Sequence, residues 1–507
     1  MNKKEYIVTL KDIENKKEFC EEMKNEISIS NNIPKRACEC IDERPISRNT
    51  HFLLTDEEAS ILKNDDRVSF VEEIDQNVKP VPQGFKSLLK KEIYGAKEIE
   101  EANIQYTGDK FEYVSHERQG ENVDVVIVDG HIDPSHPEFA KNIDGSGVTR
   151  VVQINWFQYG GTGTYSYLPY TSTTDNDLTD ENDHGMHVAG IACGNRQGWA
   201  RKSNIYNINP YRNQFWKIFD YIRAWHNSKP INPKTGHKNP TIVNNSWGFE
   251  RTDVYFTDIT RVTYRGVTEN APVGGFSRSY LLSKGIIMWG GNNSSSGYLT
   301  NVPYFYSSVN TDIADSINDG IVFVGAAGNN YLKIDTPTGP DYNNYFKVSG
   351  SAVDYYYHRG GTPGSTQNVI CVGSMDINDY KSQFSNTGPG VTLYAAGSDI
   401  ISSIHNSTFR SISSVQDPRN SSYYLDKYSG TSMASPQVTG IIAAHAENST
   451  INQTGALNFL TANWKLNRLI NTNTVDVYND TRSLQGGANR RAFYPYSSYP
   501  SDSDSGR

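Results

Sequence analysis

The chain has 507 residues, enough at roughly 150 per domain for about three domain-sized units with a sizeable core, which excludes a peptide hormone or a small disulfide scaffold. Lysine and arginine number 48 against 57 aspartates and glutamates, a net charge of −9 with no dominant basic block, which argues against nucleic acid as the main partner. Hydrophobic residues make up 36% and their runs fall far short of the roughly 20 residues of a membrane-spanning helix, so no membrane partner is expected.

The opening run Met1-Asn2-Lys3-Lys4-Glu5-Tyr6-Ile7-Val8 is strand-like and lacks the apolar core and small-residue cleavage site of a secretory signal. A place in the cytoplasm of the producing cell, or in a virion, is therefore expected. Five cysteines, Cys20, Cys38, Cys40, Cys193 and Cys371, are odd in number and scattered, which fits free thiols better than a disulfide framework.

Residues 1–76 hold 30 charged side chains, against 75 in the remaining 431, and this shift marks a separate N-terminal domain. Tyr6 to Leu10 reads as a strand, and Ile13, Phe19, Met23 and Ile27 follow at mostly helical spacing. Thr55 to Glu58 forms a capping box ahead of Ala59, Ile61 and Leu62, so a helix is predicted to start there. Strand-like stretches at 37–41, 51–54 and 68–71 complete a β-α-β-β-α-β order, a small α+β, ferredoxin-like unit. Residues 77–121 read as linker and N-terminal extension, with Pro80 and Pro82 enforcing extended geometry over 77–84.

From Asn122 to about Arg482, apolar strand runs alternate with helical runs, the pattern of an α/β domain with a parallel sheet flanked by helices. Buried strands are predicted at Val125–Val128, Thr241–Val243, Ile321–Val324 and Val369–Val372. Residues 483–507, rich in Ser, Tyr, Pro and Asp, read as a flexible tail.

Parallel sheets present ligands at the carboxyl ends of their strands. There Val125-Val126-Ile127-Val128 runs into Asp129, and Asp183-His184-Gly185-Met186-His187-Val188-Ala189-Gly190 opens a small-residue helix. Gly430-Thr431-Ser432-Met433-Ala434-Ser435-Pro436 opens an apolar one. Each residue alone has a plainer reading: Asp129 as a helix cap, Ser432 as an N-cap serine, Asn329 as a turn residue. Together they form the set that nucleophilic cleavage of an amide needs: Ser432 attacks, His184 moves its proton, Asp129 fixes the imidazole tautomer, and Asn329 donates to the oxyanion beside the Ser432 N–H. The i, i+3 pair His184 and His187 lacks a third ligand, and His187 reads as structural.

These motifs, in the order aspartate, histidine, serine, resemble those of the subtilisin-like serine proteases, or subtilases, over about 122–446. The resemblance implies a subtilisin-like α/β fold, a serine endopeptidase acting on protein or peptide substrates through an acyl-enzyme, and a triad of Asp129, His184 and Ser432 with Asn329 as oxyanion donor. It implies that Ser246, Trp247 and Gly248 pair with the substrate backbone by β-addition. Residues 1–76 resemble the subtilase propeptide, an intramolecular inhibitor and chaperone, and imply a zymogen that cuts itself between about Asp75 and Gly84. No cofactor is required for the chemistry. Structural calcium stays open for Asp175-Asn176-Asp177 and Asp341-Tyr342-Asn343-Asn344, with solvated turns as the plainer reading and the metal ligands unknown.

Three departures from the family pattern stand out. Asp129-Gly130-His131 has lost the hydroxyl that normally follows the aspartate and gained a ring, and Met186 stands where threonine is usual. Long insertions fall at 248–321, 330–361 and 404–426, predicted as surface loops bordering the cleft and selecting substrate. Such features motivate an alternative, a weakly active or inactive subtilase-fold structural protein, for example a virion component. An α/β-hydrolase esterase fails on order, since its serine precedes the acid and the histidine. The tyrosine clusters at 355–357 and 494–499 read as exposed loop packing.

Overall fold

The computed structural model describes residues 3–25, 32–86, 115–159, 180–210, 215–286, 298–405, 414–472 and 482–498. At the N-terminus, β1 (Lys4–Leu10), α1 (Lys16–Asn25), β2 (Glu39–Asp42), β3 (Asn49–Leu54), α2 (Asp56–Leu62) and β4 (Val68–Glu73) follow in the predicted order. Their sheet runs β2-β3-β1-β4 with antiparallel neighbours, and Phe19, Met23, Phe52, Leu62 and Val71 share its core. The capping box is present: Thr55 Oγ1 accepts from the Glu58 N–H at 3.2 Å, and the Glu58 carboxylate accepts from the Thr55 N–H at 2.9 Å. Ile27 lies outside the described residues.

The main sheet has eight described strands, in the order 465–466, 490–491, 393–396, 370–375, 322–326, 241–245, 124–128 and 204–208. All neighbours are parallel except the antiparallel edge pair 465–466 and 490–491. Period-two alternation gives each strand two buried faces. Val125 and Ile127 pack with the helices Asp180–Cys193 and Thr431–His445, while Val126 and Val128 pack with Ile218–Ser228 and Ser307–Asn318. All four predicted buried strands are present, each within three residues of its expected bounds.

Three expectations are corrected. Residues 78–86 are not a free linker: β5 (Val78–Pro82) pairs antiparallel with the strand Trp247–Tyr255, and β6 (Phe85–Lys86) pairs antiparallel with Asn420–Ser429. Pro80 and Pro82 fit because β5 is an edge strand, where a missing N–H breaks no ladder on its open side. Nor is the tail free through residue 498. Arg490–Arg491 joins the main sheet, and Tyr494 is buried against Trp199, its hydroxyl on the Arg118 carbonyl. Residues 499–507 lie outside the described residues. Finally, Tyr355 and Tyr357 are buried rather than exposed, because the first two insertions fold on each other: strands 259–264, 267–270 and 345–348 make one sheet over a core that includes both rings.

The N-terminal unit docks on the two helices of the second face. Arg44, with no exposed side-chain surface, reaches Asp220 at 2.9 Å and Asp312 at 2.6 Å. The Glu72 carboxylate accepts from the Ser307 and Ser308 N–H groups, both at 3.0 Å, where their helix begins.

Candidate active site

Asp129 follows the strand 124–128, where its N–H donates to the Ile208 carbonyl, so the carboxylate emerges at the sheet's carboxyl edge. Its Oδ1 accepts from the Gly130 N–H at 2.8 Å and meets His184 Nδ1 at 2.7 Å. The turn is pinned by Asn207, whose amide donates to the carbonyls of Ile127, Asp129 and Gly130. Gly185 lets the histidine helix approach, since a Cβ there would lie 2.1 Å from the Gly130 oxygen. Asp129 Oδ2 has no hydrogen-bond partner, at the spot where the sequence lacks its usual hydroxyl neighbour.

Ser432 is fully buried at the start of its helix. The helix is locked to the sheet by Asn244, whose Oδ1 accepts from Ser435 at 2.8 Å and Thr439 at 3.0 Å. Ser246 adds a third tie, its hydroxyl donating to the Ser432 carbonyl at 2.9 Å. The Ser432 hydroxyl donates to the Ser246 carbonyl at 2.6 Å, and His184 Nε2 has no hydrogen-bond partner. Asn329 follows Gly328, whose φ of +102° turns the chain off the strand 322–326, and its Oδ1 accepts from the N–H and hydroxyl of Thr431.

The chain's own residues 78–86 fill the space between these groups. Trp247 stands opposite Pro82 and Gly248 opposite Val81, and the Ser246 carbonyl accepts from the Gln83 N–H at 3.0 Å. The Gln83 carbonyl oxygen accepts from the Ser432 N–H at 2.8 Å. Gly84 lies against the imidazole: a Cβ on it would sit 2.9 Å from His184 Nε2 and 3.1 Å from the Met433 thioether. Gly430, at φ +154°, makes room, since a Cβ there would come within 2.3 Å of the Gln83 oxygen. Ser432 and His184 thus flank the Gln83–Gly84 peptide bond, with extended chain on either side. Ser432, Ser246, Asn329, Trp247, Gly248 and His184 all meet residues 81–84, and Asp129 lies behind His184. Asn207, Asn244, Thr431, Ser435, Thr439, Glu250 and Asn330 were not singled out, because each acts through a contact distant in sequence.

The model of the subtilase family matches residues 120–487. The chain belongs to the subtilase family. This subtilase is a hydrolase, a serine endopeptidase with the subtilisin-like α/β fold, and needs no cofactor for its chemistry. It is 25% identical over 449 residues to Subtilisin-like protease 3 of Trichophyton tonsurans, spanning 87% of this chain and 81% of the relative. It is 26% identical over 332 residues to Subtilase-type proteinase RRT12 of Saccharomyces cerevisiae, spanning 65% of this chain and 45% of the relative. Among solved structures it is similar to a cold adapted subtilisin-like serine proteinase, with 18% identity, a TM-score of 0.44, and coverage of 78% of this chain and 97% of that one. It is also similar to fervidolysin from Fervidobacterium pennivorans, with 16% identity, a TM-score of 0.48, and coverage of 96% and 60% respectively.

His187 stacks on Tyr428 at 4.4 Å and bonds the Asp426 carbonyl, and burial pushes its imidazole down to about 3. Of the stretches considered for calcium, Asp341 already meets Arg265 at 2.7 Å and Lys333 at 2.8 Å, and residues 175–177 lie outside the described residues. Among the described residues, no cluster of three His, Cys, Asp or Glu side chains is arranged to hold a metal, and no helix is long and apolar enough to cross a membrane.

Proposed function

We propose that this subtilase cleaves peptide bonds through Ser432, His184 and Asp129, and that it is made as a zymogen whose first substrate is its own Gln83–Gly84 bond. The Ser432 hydroxyl leaves the Ser246 carbonyl and turns to His184 Nε2, which takes its proton as Oγ attacks the Gln83 carbonyl carbon. Asp129 holds Nδ1–H and stabilises the imidazolium. The oxyanion is met by the Ser432 N–H and the Asn329 carboxamide. Collapse breaks the C–N bond, the proton passes from His184 to the departing Gly84 nitrogen, and water then releases Gln83 from the acyl-enzyme by the same steps in reverse. Residues 1–76 act as the intramolecular inhibitor, the catalytic domain spans 122–482, and Ser246, Trp247 and Gly248 pair with protein or peptide substrates as they pair with 81–83.

The observation that carries this reading is the Gln83 carbonyl oxygen on the Ser432 N–H, beside an imidazole already bonded to Asp129. The inactive-scaffold alternative draws on the Ser432 hydroxyl bonded to Ser246 and the unpartnered Asp129 Oδ2. Intact-mass measurement on purified wild type and Ser432→Ala separates the two. A wild-type product beginning at Gly84, with an unclipped variant, supports the zymogen; a wild type that stays whole, or equal clipping in both, supports the scaffold.

A further inference from the structure

Gln83 is 2% exposed, and each polar atom of its side chain has a partner. Its Oε1 accepts from the Asn329 N–H at 3.0 Å, and its Nε2 donates to Glu250 Oε1 at 2.7 Å and to the Val81 carbonyl at 3.1 Å. The pocket supplies a donor, the Asn329 N–H, to the carboxamide oxygen and an acceptor, Glu250, to its nitrogen, while the second amide hydrogen goes to the segment's own Val81 carbonyl.

The groups that meet Gln83 are also held by neighbours outside its own segment. Glu250 is 2% exposed on the strand 247–255, held between β5 and the strand 298–303. Its Oε1 also accepts from Asn330 Nδ2 at 3.1 Å, and Asn330 is held in turn by Asn386, which accepts from its N–H at 3.0 Å and donates to its Oδ1 at 3.2 Å. The Asn329 N–H belongs to the turn that also presents the oxyanion donor.

We propose that this subtilase selects glutamine as the residue whose carbonyl is attacked, with Glu250 and the Asn329 N–H reading the two ends of its carboxamide. The proposal rests on the endopeptidase reading above. Glutamate would set a second carboxylate against Glu250 in a dry site. Methionine has the right length but leaves the Asn329 N–H without an acceptor and takes from the buried Glu250 oxygen one of its two donors. Lysine would satisfy Glu250 yet gives the Asn329 N–H no acceptor. A site built to bond a polar substrate group rejects analogues lacking it far more strongly than an apolar pocket rejects a shorter chain. Burial pushes the Glu250 carboxyl up, while the bonds from Asn330 and Gln83 pull it back.

The test uses the chain made full length, self-processed and freed of its N-terminal fragment, with peptides Val-Lys-Pro-Val-Pro-Xaa-Gly-Phe-Lys in which Xaa is Gln, Glu, Met or Lys. Cleavage is followed by product mass, and Ser432 is labelled with a fluorophosphonate in parallel. The expected kcat/KM for Gln exceeds that for Met and Glu by about 100-fold or more, and that for Lys by at least about 10-fold. Glu250→Gln, which replaces the carboxylate by a group that can donate, raises the Glu-to-Gln ratio by about 10-fold or more. A chain that labels at Ser432 but cleaves Met or Lys peptides as fast as Gln, or cleaves no Gln peptide, overturns the preference and leaves the serine endopeptidase standing. A chain that neither labels nor cleaves overturns both. The wild-type peptide series decides the matter even where Glu250→Gln fails to fold.

Discussion

Asp129 meets the Gly130 N–H and His184 Nδ1 through a single oxygen, so the imidazole tautomer depends on one acceptor. Asp129→Asn keeps the size of that group but presents a donor or a weaker acceptor to the ring. It is expected to lower kcat by about 10⁴-fold with little change in fold, read from peptide turnover and circular dichroism together; a loss under about tenfold would show that Asp129 does not orient His184. Asp129, His184, Ser432 and Asn329 stood out because Asp129 and Asn329 follow apolar strands, while Ser432 opens an apolar helix and His184 lies in the first half of a small-residue one. Glu250 and Asn330 did not, since no local pattern distinguishes a glutamate turned inward beside Gln83 from one in water. The turn through Asp129-Gly130-His131 is held by Asn207, unremarked in the sequence, which donates to three carbonyls there.

At the scale of elements, β5 and β6 hold the Gln83–Gly84 bond between Ser432 and His184. The prolines made their extended course legible; their partner was not, because β-addition joins segments more than 160 residues apart in sequence. Gly84 joins the two strands, and a methyl there must displace His184 Nε2 or Met433. Gly84→Ala is therefore expected to slow self-cleavage by about tenfold or more, measured as the rise of the Gly84-initiated product over time; an unchanged rate would mean that the imidazole does not close on that bond. Arg44, which bridges Asp220 and Asp312, is the buried cation in the docking of the N-terminal unit. Arg44→Met leaves both carboxylates buried without their cation, a cost of about 3–5 kcal/mol. After cleavage the N-terminal fragment is expected to separate from the variant on gel filtration while staying with the wild type, and co-elution in both would contradict this role.

Over the whole molecule, the parallel sheet was legible because two-sided burial demands continuous apolar strands, which can be read without knowing their neighbours. What escaped was assembly from distant pieces: two insertions sharing one core, and a polar-looking tail whose Tyr494 closes over Trp199. Burial also fixes how the fold responds to acid. His187 is pushed down to about 3, and His226 and His358 to about 4, in each case chiefly by desolvation, from an ordinary 6.5. Because the unfolded chain binds these protons more readily, their contribution is intact above pH 6.5 and is lost as pH falls toward 4, at up to about 1.4 kcal/mol per pH unit for each histidine. The thermal unfolding midpoint is expected to fall across that window, and His187→Phe, which keeps a ring against Tyr428, to flatten the fall; a midpoint constant from pH 6.5 to 4 would contradict it. Convergence of three distant segments on one reactive hydroxyl is tested most directly by a fluorophosphonate on the self-processed chain once its N-terminal fragment has been removed, with the adduct mapped by peptide mass. Near-stoichiometric modification of Ser432 in the wild type, lost in His184→Ala, is the expected result. No adduct after processing, or one on a different residue, would contradict it.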